Sequence, residues 1–355
     1  MKVLFLTNAP APYRIDFFNL LGQQCDLTVW YEYVKDPSED RDQKWIRNKA
    51  RAFTEKFQFS FKDFRQYDIV IICGISTATE IRALLYLKRH RIPYCIEVDG
   101  GFAAAEEFAL KKWIKSFLMK GAALYFSTGT VTDQYLMAYG APRERIRHYP
   151  FSSVKDVDIL PTADTDEEKA RLKQELGLKG DKIVLCVGRF LYCKGFDTLI
   201  KAAPHLPRDT SVYIVGGLPT DEYIRLINEN RITNVYFKEF MPSDILINYY
   251  RAADVFVFPT RNDVWGLVVN EAMALGLPVI CSDRTVAGLT LVEPDETGEI
   301  FSVEDVDDLI RKTNRLLEAP ALRRHIAAAG LRKIQEYTIE AMAKKHMQIF
   351  QDFCH

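Results

Sequence analysis

The stretch Pro259-Thr-Arg-Asn-Asp263-Val-Trp265-Gly266-Leu267-Val268-Val-Asn-Glu271-Ala-Met-Ala-Leu-Gly276-Leu-Pro278-Val-Ile-Cys-Ser-Asp283 decides how this chain is read. The apolar run Val255 to Phe258 before it is a buried strand, a polar loop carries Asp263, and Gly266 opens a helix whose second turn presents Glu271. Backbone N–H groups at that helix start, around Gly266, Leu267 and Val268, form an anion site, and the missing side chain of Gly266 lets a phosphate approach closely. The two acids then flank a phosphate-sized space. Taken alone, Asp263 reads equally as a helix cap and Glu271 as an exposed helix acid.

Working outward, the same strand-loop-helix pattern recurs along the chain, as parallel sheets covered by helices require. Strands are expected at Lys2 to Thr7, Asp26 to Tyr31, Asp68 to Cys73, Tyr94 to Val98 and Ala123 to Ser127. A second set covers Lys182 to Val187, Val212 to Val215, Val235 to Glu239, Val255 to Phe258 and Pro278 to Cys281. The 355 residues, 48% hydrophobic, suit two such α/β domains with a cleft between them. The polar, acidic stretch Ser152 to Glu168 reads as the linker, followed by a helix from Glu168 to Leu176 closed by Gly177. The expected domains are 1–160 with a returning helix at 339–355, and 161–338.

Composition narrows the setting. Seven cysteines, without C-x-x-C or Cys/His ligand spacing, read as free thiols of a reducing compartment. The apolar start Val3 to Leu6 is stopped by Asn8, Pro10 and Pro12, too short for a signal or a spanning helix, so a cytoplasmic protein is expected. Residues 1–155 carry 23 Lys and Arg against 17 Asp and Glu, and residues 156–355 carry 24 against 31. A basic first half suits an anionic partner such as a lipid headgroup or phosphate.

The second motif is Val184-Leu-Cys-Val-Gly188-Arg189-Phe-Leu-Tyr-Cys-Lys194-Gly195-Phe196. Two cations on one loop at a strand's C-terminal end suit a diphosphate whose charge grows as it leaves. With the paired acids eight positions apart, Trp265-Gly266, the Glu271-Ala-Met-Ala run, Gly276 and Pro278 all in register, the chain resembles the retaining family 4 glycosyltransferases, in particular those of bacterial capsular and exopolysaccharide assembly. The resemblance implies the GT-B architecture, two doubly wound Rossmann-like domains facing across a cleft with the last helix crossing back to the first. It implies that Glu271 holds the ribose hydroxyls and that Asp263, where the family usually has Glu, contacts the donor sugar. Arg189 and Lys194 would clamp the diphosphate. Gly188, Gly216, Gly217, Phe240, Met241, Trp265, Gly266, Leu267 and Val268, with Arg14 from the first half, would line the donor, a nucleoside diphosphate sugar of UDP or GDP type, with no cofactor.

The first half matches more loosely. In Asn8-Ala-Pro10-Ala-Pro12-Tyr13-Arg14 prolines replace the family's Gly-rich loop, and Arg14 adds a charge at the cleft edge ahead of a helix expected from Ile15. Glu97-Val-Asp99-Gly100-Gly101 places a carboxylate, Asp99, at a strand end where an acceptor hydroxyl would be met; it is also ordinary turn chemistry. In Phe108 to Lys120, Phe108, Leu110, Ile114, Phe117 and Leu118 share one helical side flanked by Lys111, Lys112, Lys115, Lys120 and Trp113, which fits an interfacial helix on anionic lipid. The acid pairs Asp156/Asp158, Asp164/Asp166 and Asp305/Asp307 follow no buried strand, so no metal site is expected. The expected activity is retaining transfer to a hydroxyl of a lipid-linked glycan or polysaccharide intermediate, metal-independent, at the inner face of the plasma membrane and without a nucleic-acid partner. A nucleotide-sugar 2-epimerase and a non-catalytic binding subunit of the same architecture stay open as alternatives.

Overall fold

The apolar runs form strands, each followed by a segment of helical period, and the result is two units with separate cores. The computed structural model describes residues 1–34, 49–103 and 107–354. One unit comprises Met1–Ser153 with Tyr337–His355, and the other Val154–Glu336.

The first unit runs β1 (Lys2–Thr7), α1 (Pro12–Gly22), β2 (Asp26–Tyr31), β3 (Thr54–Lys56), β4 (Ile69–Ile72), α2 (Ala78–Arg89), β5 (Cys95–Glu97), α3 (Ala109–Met119), β6 (Leu124–Ser127), α4 (Thr130–Ala138) and β7 (Ile146–His148). Its sheet has the order β3-β2-β1-β4-β5-β6-β7, with every pairing parallel. The order reverses between β1 and β4, the place where open α/β sheets bind ligands beyond their strand ends. Helix α1 starts at Pro12 rather than at Ile15, because a proline in the first turn lacks an N–H that would have no partner there. The start places Arg14 in the first helical turn.

The second unit runs α5 (Asp166–Glu175), β8 (Lys182–Val187), α6 (Phe196–Ala202), β9 (Thr210–Val215), α7 (Asp221–Glu229), β10 (Val235–Lys238), α8 (Ser243–Ala252), β11 (Val255–Phe258), α9 (Leu267–Ala274), β12 (Val279–Ser282), α10 (Val286–Leu291), β13 (Gly298–Phe301), α11 (Val306–Glu318) and α12 (Pro320–Ile334). The parallel order is β10-β9-β8-β11-β12-β13, reversing between β8 and β11. The last helix, α13 (Ile339–Cys354), belongs to the first unit and packs on α1.

The short strands β3, β7 and β13 were not legible as apolar runs. The polar stretch read as a linker is fastened to the second unit: Leu160 N donates to Ala274 O at 2.9 Å, and Arg251 grips Asp164 with two hydrogen bonds of 2.9 and 2.6 Å. A capping box between Thr165 and Glu168 starts α5. Of the other acid pairs, Asp305 is likewise taken up locally, capping α11 by accepting from Asp308 N at 2.9 Å.

Candidate functional site

In the second unit the two motifs found in the sequence meet at the reversal point, since β8 and β11 are hydrogen-bonded neighbours. Gly188 follows β8 and its N–H donates to Val215 O at 2.9 Å; Gly216 N donates to Lys238 O at 3.1 Å, so the ends of β8, β9 and β10 are level. Lys194 sits on a short turn before α6, its Nζ 2.5 Å from Asp263 Oδ2 and 5.1 Å from the centre of the Phe258 ring. Gly195, at φ +63°, holds this turn against β11: a Cβ there would lie 2.2 Å from the Pro259 carbonyl oxygen. Arg189 is exposed and makes no ion pair among the described residues. Gly217 is half-buried and Phe240 is 52% exposed, with Met241 beside it half-buried.

The loop between β11 and α9 is built from its own residues. Asp263 N donates to Arg284 O at 3.0 Å, and its Oδ1 receives Trp265 N at 3.3 Å. Asp263 is not the cap of α9, because Gly266 occupies that position at φ +102° with no side-chain cap. A Cβ on Gly266 would meet Thr285 Cγ2 at 2.9 Å and Phe258 Cε1 at 3.1 Å. The glycine is therefore required by the turn and its internal packing, whatever it also allows a phosphate. Trp265 also serves the turn. Its ring is 2% exposed and its Nε1 donates to the buried Asn270 Oδ1 at 2.8 Å, so the indole anchors the turn from inside. Leu267 and Val268 open α9 half-buried, and their N–H groups precede the helix's own bonding ladder. Glu271, half-buried one turn on, accepts from Tyr250 Oη at 3.0 Å.

Two residues that sequence reading passed over complete this arrangement. Arg261 ties the Lys194 turn to the Asp263 loop: its Nη1 donates to Tyr192 O at 2.8 Å, its Nη2 pairs with Asp197 at 2.9 Å, and its guanidinium lies 4.2 Å over the Tyr192 ring. Burial alone would push the Asp197 carboxyl up, but Arg261 and Lys201 hold it below its usual range. Tyr250 comes from α8, distant in sequence from Glu271, and burial beside that acid keeps its phenol protonated. Arg261 stood inside the decisive stretch; nothing local marked Tyr250.

In the first unit Arg14, expected at the cleft edge, is buried. It is 5% exposed, its Nη1 2.6 Å from Glu97 Oε1 and its Nη2 2.6 and 2.7 Å from the two oxygens of Asp99. Tyr149 Oη donates to Asp99 Oδ1 at 3.1 Å. Burial pushes the Asp99 carboxyl up against the pull of Arg14, with the Glu97 charge adding to the rise. Burial also acts on Glu97, but Arg14 and His346 hold that carboxyl below its usual range. Asp99 is the more open of the two carboxylates, with 29% of its side chain exposed against none of Glu97's.

Phe108, just before α3, is 87% exposed, and α3 leaves Leu110 69%, Trp113 64%, Ile114 43% and Phe117 48% exposed, while Leu118 turns inward at 3%. Trp113 and Phe117 stack with ring centres 5.9 Å apart. Among the described residues no helix is long and apolar enough to cross a membrane, and no group of three or more His, Cys, Asp or Glu is placed to hold a metal ion.

Residues 168–333 match the family model described as Glycosyl transferases group 1. The GDP-mannose-dependent alpha-(1-6)-phosphatidylinositol monomannoside mannosyltransferase of Mycolicibacterium smegmatis is 32% identical over 56% of this chain and 53% of its own length. The alpha-D-kanosaminyltransferase of Streptomyces kanamyceticus is 28% identical over 81% and 74%. The match thus spans about half the length of the first relative and three quarters of the second. The crystal structure of Anabaena Alr3699/HepE in complex with UDP and glucose superposes with a TM-score of 0.79 at 17% identity, covering 99% of this chain and all of the other, so the two share a fold.

Proposed function

We propose that this chain, which belongs through residues 168–333 to the glycosyl transferases of group 1, moves a sugar from a nucleoside diphosphate sugar to a hydroxyl of a lipid-linked glycan or polysaccharide intermediate, with retention at the anomeric carbon. The observation that carries this is the meeting of Lys194, Asp263 and the opening of α9 at the β8–β11 reversal, with Glu271 one helical turn further on. Cations and helix N–H groups there suit a diphosphate, and a carboxylate held by a tyrosine suits a pair of ribose hydroxyls. The relatives' printed names support the donor class: one uses GDP-mannose, and HepE was crystallised with UDP and glucose.

In this reading the bond from the anomeric carbon to the diphosphate oxygen breaks as the acceptor oxygen bonds to the same face of that carbon. Arg189, Lys194 and the N–H groups of Leu267 and Val268 hold the charge that develops on the departing diphosphate, stabilising the transition state more than the bound donor. Asp263 is assigned to the donor sugar, on which positive charge grows. Asp99 is assigned to the acceptor hydroxyl, and the proton released there passes to it or to the departing phosphate. No divalent ion is required, so activity persists in excess chelator; loss in EDTA restored by Mn²⁺ or Mg²⁺ would refute this part.

The exposed apolar row of α3, with Lys111, Lys112, Lys115 and Lys120 along it, supports docking at an anionic membrane surface, where a lipid-linked acceptor is presented. A screen of UDP and GDP sugars for thermal stabilisation, followed by turnover of each hit with lipid-linked acceptors, tests the whole reading. Turnover of a nucleotide sugar to its epimer without acceptor would replace it by the isomerase reading.

A further inference from the structure

Glu97 is buried with one oxygen taken by Arg14, and the other must also find a donor. His346 of α13, wholly buried, has its Nε2 3.2 Å from Glu97 Oε2 and its Nδ1 2.8 Å from the carbonyl oxygen of Met342 one turn earlier. The ring is stacked on Phe126 at 5.1 Å and met edge-on by Phe17 at 4.8 Å and Tyr149 at 4.7 Å, which leaves it no room to turn away. Both ring nitrogens therefore face oxygen acceptors, and both contacts are hydrogen bonds only when each nitrogen bears a proton. The charges agree, since Arg14 alone faces two carboxylates and a cationic ring brings the cluster to neutrality. Among the described residues, Tyr13, Tyr31, Tyr149 and Cys73 also act on it, and burial raises each above its usual range, so that they stay uncharged.

We propose that His346 is a positioning residue for Asp99, acting as a cation through Glu97 and Arg14, so that the last helix of the chain sets the orientation and proton affinity of the acceptor-side carboxylate. Catalytic use of this coupling rests on the Asp99 assignment above; the coupling itself is internal to the first unit. Arg14 bridges the two carboxylates, so a change of charge at His346 is felt at Asp99 through a short, desolvated path where Coulomb effects are strong.

The test is carboxyl ¹³C titration of Asp99 in the full-length protein and its variants, with imidazole ¹⁵N shifts of His346. His346→Gln keeps an amide donor for Glu97 but removes the charge, and should raise the Asp99 midpoint by about 0.5 pH unit or more. Glu97→Gln removes a neighbouring negative charge and should lower it. Opposite signs are what charge coupling requires, whereas mere loosening of the unit would move both variants alike. In the unsubstituted protein at neutral pH both ring nitrogens should carry protons, a measurement that decides the matter even where a variant does not fold. A neutral ring, or an Asp99 midpoint unmoved in folded His346→Gln, would overturn the proposal. The titration needs no substrate. Coupling of the expected signs beside an Asp99→Asn variant that transfers sugar normally would overturn the acceptor role and leave the coupling standing.

Discussion

Lys194 and Asp263 are bonded to one another at 2.5 Å, so neither can be varied without changing what the other does. If both hold the diphosphate as proposed, Arg189→Ala and Lys194→Ala should each lower kcat/KM at least about tenfold, the loss of one charge-assisted phosphate contact, about 1.5–3 kcal/mol. Steady-state kinetics with the donor found in the screen checks this, and near-normal turnover in both variants would refute the diphosphate assignment. On the proposed role, in which the contact of Asp263 with the sugar strengthens as charge develops there, Asp263→Asn should reduce kcat more than nucleoside diphosphate affinity. Glu271→Gln should do the reverse, weakening nucleotide binding by about 1–3 kcal/mol with little change in folding. Tyr250→Phe, which removes the hydroxyl that orients Glu271, should weaken binding in the same assay and by less. Calorimetry in which Glu271→Gln binds as tightly as wild type would end the division of roles between the two acids.

Among the elements, α3 and the turn into α9 carry the clearest consequences. Soluble proteins rarely leave a contiguous apolar row of this kind facing water. Replacing Trp113 and Phe117 by Ser should reduce sedimentation with vesicles containing phosphatidylserine or phosphatidylglycerol several-fold while leaving thermal stability within about 0.5 kcal/mol, since both side chains are about half exposed or more. Equal binding of variant and parent would show that the helix does not dock there. Gly266→Ala should destabilise the second unit by about 1–3 kcal/mol, through the positive φ and the contact with Thr285, and calorimetric unfolding would register it as a lowered transition temperature. The same substitution would leave stability unchanged if the glycine served phosphate approach alone.

At the scale of the whole molecule, the returning helix α13 ties the chain's end to the buried charges of the first unit, and acid should find that point first. Glu97 is held below its usual range in the folded state despite burial, so its contribution to stability is present above its unfolded value, about 4.3, and is lost as the pH falls through the folded one. Asp99 is displaced upward and opposes folding at neutral pH, a penalty that acid relieves. Glu97→Gln should therefore have a lower melting temperature than wild type at pH 7, by breaking a buried pair worth about 3–5 kcal/mol, but a smaller further loss between about pH 5 and pH 3. Parallel melting curves for the two proteins across that range would refute the assignment of acid sensitivity to Glu97.

Much of this was legible without a structure, because strand, loop and helix in an open α/β unit are written as local periodicity. Asp263, Gly266 and Glu271 lie within one such unit, and Gly188, Arg189 and Lys194 within another, so spacing along the chain sufficed to single them out. The short edge strands β3, β7 and β13 were not legible, having too few apolar residues to show a period. Strand order lay beyond reach as well, because periodicity says that β8 and β11 are strands but not that they are neighbours. The burial of Arg14 was not legible, because its prolines look like a loop in sequence and here begin a helix. Only tertiary structure could bring Tyr250 to Glu271, Arg261 to Asp197, and His346 to Glu97, 249 positions away. A buried polar side chain must be paired, but which partner it finds is decided by how the elements pack, and no local pattern encodes that.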